Sequence, residues 1–225
     1  MLWILGIRVR VRGTEYLPTR GGPTGPSALK STQVIICNHT SFLDAMAICA
    51  VCPHAMYYVA KKEIVYFPVL GWAWWILAQG MISRSNKTAA RSTMDTLRDD
   101  CIAADAKRRP RQVIFFPEGT RSPTGRLQPF KKGAFHLAQQ LGTTIVPMVV
   151  RGAFDLSPGK QEWHFVPGEF SLTVHPPIDA NGWREDTVAH EAARVHATYR
   201  RWLHEPPPAN RAGSFLIDGP FKRQG

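Results

Sequence analysis

Ile7, Val9 and Val11 alternate with Arg8, Arg10 and Arg12, and a period of two predicts a strand with one buried face and its arginines turned to solvent. Thr19 to Ser27 carries Gly21, Gly22, Pro23, Gly25 and Pro26, which predicts a surface loop leading into an apolar strand from Gln33 to Cys37. From Ser41 the period becomes helical to about Val51, Pro53 ends it, and Ala55 to Ala60 again reads as a strand. Ser85 or Asn86 caps a second helix that puts Ala90, Met94, Leu97 and Cys101 on one face, ahead of Pro110 and a strand from Gln112 to Phe116. A helix over Lys131 to Leu141 follows, then strands over Thr144 to Val150 and Phe170 to His175. Val188, Ala192, Val195, Tyr199 and Trp202 mark a late amphipathic helix, closed by Pro206-Pro207-Pro208. Residues 206–225 show no clear period and stay unassigned, as a tail behind one domain spanning 1–205. Strands alternating with helices predict an α/β fold with a central, mixed, partly parallel sheet flanked by helices.

Ile64 to Ile82 departs from this pattern: nineteen residues carry no charge and include Trp72, Trp74 and Trp75. The run is long enough to span a bilayer, but Pro68, Gly71, Gln79 and Gly80 interrupt it, and a crossing would separate Lys61 from Arg84. A core segment is the other alternative, and three tryptophans so close together are many for a core. The expectation is a monotopic patch lying in the membrane interface. Met1 to Ile7 is too short for a span and lacks the pattern of a signal peptide.

Composition narrows the partners. The chain has 225 residues, 44% hydrophobic and 20% charged, which suits one globular domain with a core of its own. Lys and Arg outnumber Asp and Glu by 28 to 17, a formal charge of +11, so the surface attracts phospholipid, nucleic acid, phosphorylated metabolites or acidic carrier proteins. No nucleic-acid-binding motif accompanies the charge, so nucleic acid is not the expected partner. The densest basic cluster, Lys107, Arg108, Arg109 and Arg111, is a solvated helix end or a contact for anionic lipid or a carrier. Four cysteines in mostly apolar surroundings, with no secretory signal, suggest a reducing compartment and chemistry facing the cytoplasm. Cys49-x-x-Cys52 is half a zinc site at most, because no second pair follows.

Two runs carry chemistry. In Asn38-His39-Thr40-Ser41-Phe42-Leu43-Asp44, a strand gives way to a helix. Residues five apart in one regular helix point about 140° from each other, so His39 and Asp44 meet only if His39 lies in the turn before the helix. Ser41 as N-cap would place it there. The same residues also fit a capping box, with Asp44 receiving the cap's backbone donor and His39 a satisfied loop residue. The second run is Phe115-Phe116-Pro117-Glu118-Gly119-Thr120-Arg121-Ser122, again at a strand end. Gly119 allows close backbone approach, Arg121 offers a fork matching phosphate oxygens, and Glu118 can orient that arginine. The plainer reading is a surface turn continued by Pro123-Thr124-Gly125. There is no Gly-x-Ser-x-Gly elbow, so Ser41 is better explained as a cap than as a nucleophile. His136, His190 and His196 read as surface or packing residues.

Taken together, the runs resemble the 1-acyl-sn-glycerol-3-phosphate acyltransferase family, whose signature is a His and Asp separated by four residues followed by Phe-Pro-Glu-Gly-Thr-Arg-Ser. Further matches are Val59-Ala60-Lys61-Lys62-Glu63, Phe67-Pro68 with Gly71-Trp72, Gly80-Met81-Ile82-Ser83-Arg84, Phe130-Lys131-Lys132-Gly133-Ala134 and Ile145-Val146-Pro147. The resemblance runs from about Ile7 to Pro177 and favours the catalytic pair over the capping box. It implies a glycerolphosphate acyltransferase-like fold. It implies acyl transfer from acyl-CoA or acyl-carrier protein to the sn-2 hydroxyl of lysophosphatidate, giving phosphatidate, or the same chemistry on another lyso-lipid. His39 and Asp44 would be catalytic, and Lys61, Arg84, Glu118, Gly119, Thr120 and Arg121 would surround the acceptor's glycerol phosphate. No metal or redox cofactor is implied, and the site of action is the cytoplasmic face of the cell membrane, peripherally or monotopically bound to anionic phospholipid. Two departures stand out: relatives usually carry a membrane-embedding helical segment ahead of the first strand, and Ser83-Arg84 replaces their usual Asp-Arg.

Overall fold

Apolar runs such as Val34-Ile35-Ile36 have no polar face, so they are stable only where both sides are covered, and they form the middle of the sheet. The computed structural model describes residues 5–17, 32–52, 56–58, 87–107, 109, 111–158, 164–205, 215–217 and 223–224. The loop 19–27, the tryptophan-rich stretch 64–82, Lys61 and Arg84 lie outside the described residues. The strands are β1 (Ile7–Arg12), β2 (Gln33–Cys37), β3 (Met56–Tyr58), β4 (Gln112–Phe115), β5 (Thr144–Arg151), β6 (Gly168–Val174), β7 (Ile178–Asp179), β8 (Phe215–Ile217) and β9 (Arg223–Gln224). The helices are α1 (Phe42–Val51), α2 (Lys87–Ala106), α3 (Gly133–Leu141), the single turn α4 (Ala153–Leu156) and α5 (Val188–His204).

One mixed sheet has the order β3-β4-β2-β5-β6-β1-β8-β9, with β7 paired to the start of β5. Strands β3, β4, β2 and β5 are mutually parallel; β6 runs antiparallel to β5, and β1 is parallel to β6. Alternate side chains divide the core in two. Ile35, Cys37, Ile114, Val146, Met148 and Val150 pack with α1, while Val34, Ile36, Val113, Phe115, Ile145 and Val149 pack with α2, α3 and α5. In β1 the alternation holds: Ile7, Val9 and Val11 are buried beside Phe170, Leu172 and Val174. Of its arginines, Arg8 is exposed and Arg10 clasps Glu169 (Nε to Oε1 2.7 Å, Nη2 to Oε2 3.2 Å). Arg12 departs from the solvated reading, since its Nε is buried.

The sequence pattern missed the shortest pieces. β7 has two residues and α4 four, too few to show a period. β8 and β9 lie in the segment without readable periodicity and are held by pairing, β8 against β1. β6 begins at Gly168, earlier than the alternation suggests, because Gly168 is the register partner of Ile7. Conversely α3 begins at Gly133, with Lys132 as its N-cap, later than the predicted Lys131.

A buried hydroxyl helps to fasten helix α5 to the sheet. Tyr199 is fully buried, and its Oη accepts the Met148 N–H at 3.1 Å and lies 2.8 Å from Ile36 O and 3.0 Å from Met148 O. A phenol donates one hydrogen bond, so it satisfies one of these carbonyls and occupies the seam between β2 and β5, three residues before His39. Tyr199→Phe should leave a buried N–H and a buried carbonyl without a partner and cost about 1–3 kcal/mol in denaturant unfolding.

Candidate active site

The connections leaving β2 and β4 diverge: β2 feeds α1 on one face of the sheet, and the chain after β4 reaches α3 on the other. Parallel neighbours whose connections part in this way open a crevice at their carboxyl ends. Both motif-bearing runs sit there.

Asn38 ties the first run to β5. Its side-chain amide donates to Val150 O at 2.9 Å and accepts the Val150 N–H at 2.8 Å, so a buried side chain extends the ladder past the end of β2. His39 follows, with its ring stacked on Phe116 at 3.8 Å between centroids and 17° between planes. Nδ1 of His39 lies 3.1 Å from Oδ2 of Asp44. The same oxygen accepts the N–H groups of Thr40 at 2.6 Å and Ser41 at 2.8 Å, and Ser41 Oγ accepts the Leu43 N–H at 3.2 Å. The two readings that competed in the sequence therefore coexist: Asp44 closes a capping box and holds His39. An ionised carboxylate only accepts, so the proton of the bond sits on Nδ1 and Nε2 carries the lone pair. Asp44 is fully buried, and its Oδ1 has no hydrogen-bond partner. The His39 side chain is 17% exposed, enough to be reached from the crevice.

Glu118 joins the second run to the first. Its Oε1 accepts the His39 N–H at 2.7 Å and its Oε2 accepts the Gln128 N–H at 2.9 Å. Burial pushes this carboxyl up to about 7; the two backbone donors oppose the shift and the charge of Asp44 adds to it. The sequence suggested that Glu118 orients Arg121; the bonds it makes here position the backbone of the histidine. Ser122 N–H donates to His39 O at 2.8 Å, so the turn is gripped from both sides. Gly119 has φ 78°, and its N–H donates to Phe116 O at 2.9 Å. Thr120 is exposed and Arg121 half-buried on the same loop. The contributions of Asn38, Phe116, Ser122 and Gln128 were not foreseen, because each acts through backbone or stacking with a distant segment.

The remaining candidates fall elsewhere. His196 packs edge-on against Phe130, and its Nε2 lies 3.2 Å from Gln128 O, while His190 is exposed. The four cysteines form no disulfide; burial raises the thiol pKa of Cys37 and Cys52 well above the usual value. Among the described residues there is no group of three or more His, Cys, Asp or Glu side chains placed to hold a metal ion.

Fold and site together define the class: an α/β protein with a histidine–aspartate pair at the switch point of a mixed sheet. The family model described as Acyltransferase matches residues 8–151, and the chain belongs to that family, among the 1-acyl-sn-glycerol-3-phosphate acyltransferases. It is 34% identical over 205 residues to the 1-acyl-sn-glycerol-3-phosphate acyltransferase of Cocos nucifera, covering 91% of this chain and 61% of that one. Against the alpha form of Homo sapiens it is 32% identical over 218 residues, covering 97% and 71%. Among solved structures it is similar to the 1-acyl-sn-glycerophosphate (LPA) acyltransferase PlsC from Thermotoga maritima, with TM-score 0.63, 25% identity and coverage of 89% and 74%. The chain thus spans less than two thirds of the coconut protein's length.

Proposed function

We propose that this chain transfers an acyl group from a thioester, acyl-CoA or acyl-carrier protein, to the sn-2 hydroxyl of 1-acyl-sn-glycerol-3-phosphate, forming phosphatidate. The observation that carries the reading is the Asp44–His39 contact at the mouth of the crevice, which leaves Nε2 as a base. Nε2 takes the hydroxyl proton as oxygen attacks the thioester carbonyl; collapse of the tetrahedral adduct expels the thiolate, which receives that proton from the imidazolium. Asp44 stabilises the imidazolium while it exists. The step balances without an acyl-enzyme, a metal or a redox group, and Ser41 Oγ serves as a helix cap. Gly119, Thr120 and Arg121, with Lys61 and Arg84, would surround the glycerol phosphate. The names of the relatives support lysophosphatidate as acceptor. The test is an assay of the purified protein with lysophosphatidate, lysophospholipids and lyso-aminolipids, each with both donors. The highest kcat/KM should fall on lysophosphatidate, and turnover confined to another lyso-lipid would overturn the assignment.

The reading places the protein at the cytoplasmic face of a membrane, held peripherally or monotopically. The formal charge of +11 supports attraction to anionic headgroups, and no helix of the described residues is long and apolar enough to cross a membrane. Replacing Trp72, Trp74 and Trp75 by serine should release the protein from anionic vesicles. A folded variant that cosediments like the wild type would relocate the contact.

A further inference from the structure

Lys131 is an exposed side chain beside the Glu118–Gly119 turn, and none of the preceding steps assigns it a part. Its N–H donates to Pro117 O at 2.7 Å, which fixes the start of this side chain beside the Glu118–Gly119 turn. From there it lies back over Gly119: a Cβ built on Gly119 would stand 2.5 Å from Nζ, 2.8 Å from Cε and 3.0 Å from Cδ. The glycine makes the room that the end of the lysine occupies.

A lysine ammonium is compact and strongly hydrated, and an anion bound against the Glu118–Gly119 turn would lie within its reach. Among the described residues Lys131 belongs to no ion pair, and the neighbouring acid, Glu118, has both oxygens engaged with the N–H groups of His39 and Gln128. The position is also close to the chemistry in chain terms. Gly119 is bonded to Phe116, Phe116 stacks on His39, and Arg121 lies two residues further along the loop.

We propose that Lys131 Nζ is a ligand for the acceptor's phosphate monoester and that it makes the site prefer a monoester to a phosphate carrying a further headgroup. The inference rests on the acceptor reading above and deepens it. A monoester at neutral pH carries close to two negative charges and offers three terminal oxygens, so it calls for more than one cation. A diester has one charge and two such oxygens, and gains less from a cation added to Arg121, Lys61 and Arg84.

Two measurements test this on Lys131→Met, Lys131→Arg and, as a control, Lys132→Met, whose exposed side chain has no part in the proposal. With the wild type active on lysophosphatidate, Lys131→Met should raise the acceptor KM roughly tenfold or more, the loss expected for one charge-assisted bond, with the donor KM changed far less. The preference for lysophosphatidate over lysophosphatidylethanolamine should fall in step, and Lys131→Arg should recover part of it. Calorimetry with glycerol 3-phosphate reads the same contact without turnover, and binding should weaken in Lys131→Met and persist in Lys132→Met. Wild-type acceptor KM and wild-type glycerol 3-phosphate binding in a folded Lys131→Met protein would overturn the proposal. A rise confined to the donor KM, or an equal effect from Lys132→Met, would do the same. If the wild type acylates no lysophosphatidate yet binds glycerol 3-phosphate through Lys131, the acceptor reading fails and the phosphate ligand stands.

Discussion

His39→Ala should lower kcat by about 10²–10⁴-fold, the range for loss of a general base, while lysophosphatidate still binds. Asp44→Asn should be severely impaired for a different reason. An amide oxygen in the place of Oδ2 can still accept the Thr40 and Ser41 N–H groups, so the turn keeps its cap, but the charge that stabilises the imidazolium is gone. Combining the two changes should cost far less than the product of the single losses, because the residues act as one unit. Ser41→Ala should keep most activity and lose about 1 kcal/mol of stability as a missing cap. A folded His39→Ala protein with near wild-type turnover, or an acyl group trapped on Ser41, would falsify the mechanism.

Glu118→Gln is the second change with a large expected effect, because this side chain holds the backbone of the histidine. Two backbone N–H groups point at its two oxygens, and an amide can answer only one of them; its NH2 must face the other. The His39 backbone should shift, and displacement of a catalytic group by about 1 Å costs on the order of 10²-fold. That loss should fall on kcat more than on either KM. The pH dependence of stability provides an independent readout. Because the folded protein raises this carboxyl to about 7, it holds the proton more tightly than the unfolded chain does. The associated stability is complete below about pH 4.5 and is lost as pH rises through about 7, up to about 3 kcal/mol. Unfolding of wild type and Glu118→Gln compared across that interval should show this component in the wild type alone.

What the sequence conveys is local. The alternation of Ile7, Val9 and Val11 and the period of Val188, Ala192, Val195 and Tyr199 each report one element's buried face, and all seven are buried. The pairing order reads β3-β4-β2-β5, which no period within a single segment encodes. His39 and Asp44 were legible because their spacing is short and their chemistry specific. The same spacing served a capping box equally well, and an acceptor oxygen that takes three donors makes both true. Long-range partners left no trace: Asn38 reaches Val150 across 112 positions, Tyr199 reaches Ile36 across 163, and the His39 N–H meets Glu118 across 79. Glu118 was read as orienting Arg121 and, through the family resemblance, as one of the residues around the glycerol phosphate; its backbone partners emerge only when the strand ends lie side by side.

One partner of β1 is β6, and Ile7 must wait for Gly168. On a ribosome adding about 5–20 residues per second, roughly 160 residues of synthesis separate the two, on the order of 8–30 s. During that interval Ile7, Val9 and Val11 form an uncovered apolar edge on a nascent chain, while β2, β4 and β5 are already available to assemble the crevice. Biosynthesis therefore completes the scaffold of the site before it closes the sheet. A chaperone that shields extended apolar segments would be needed most at β1, long after that strand has left the exit tunnel.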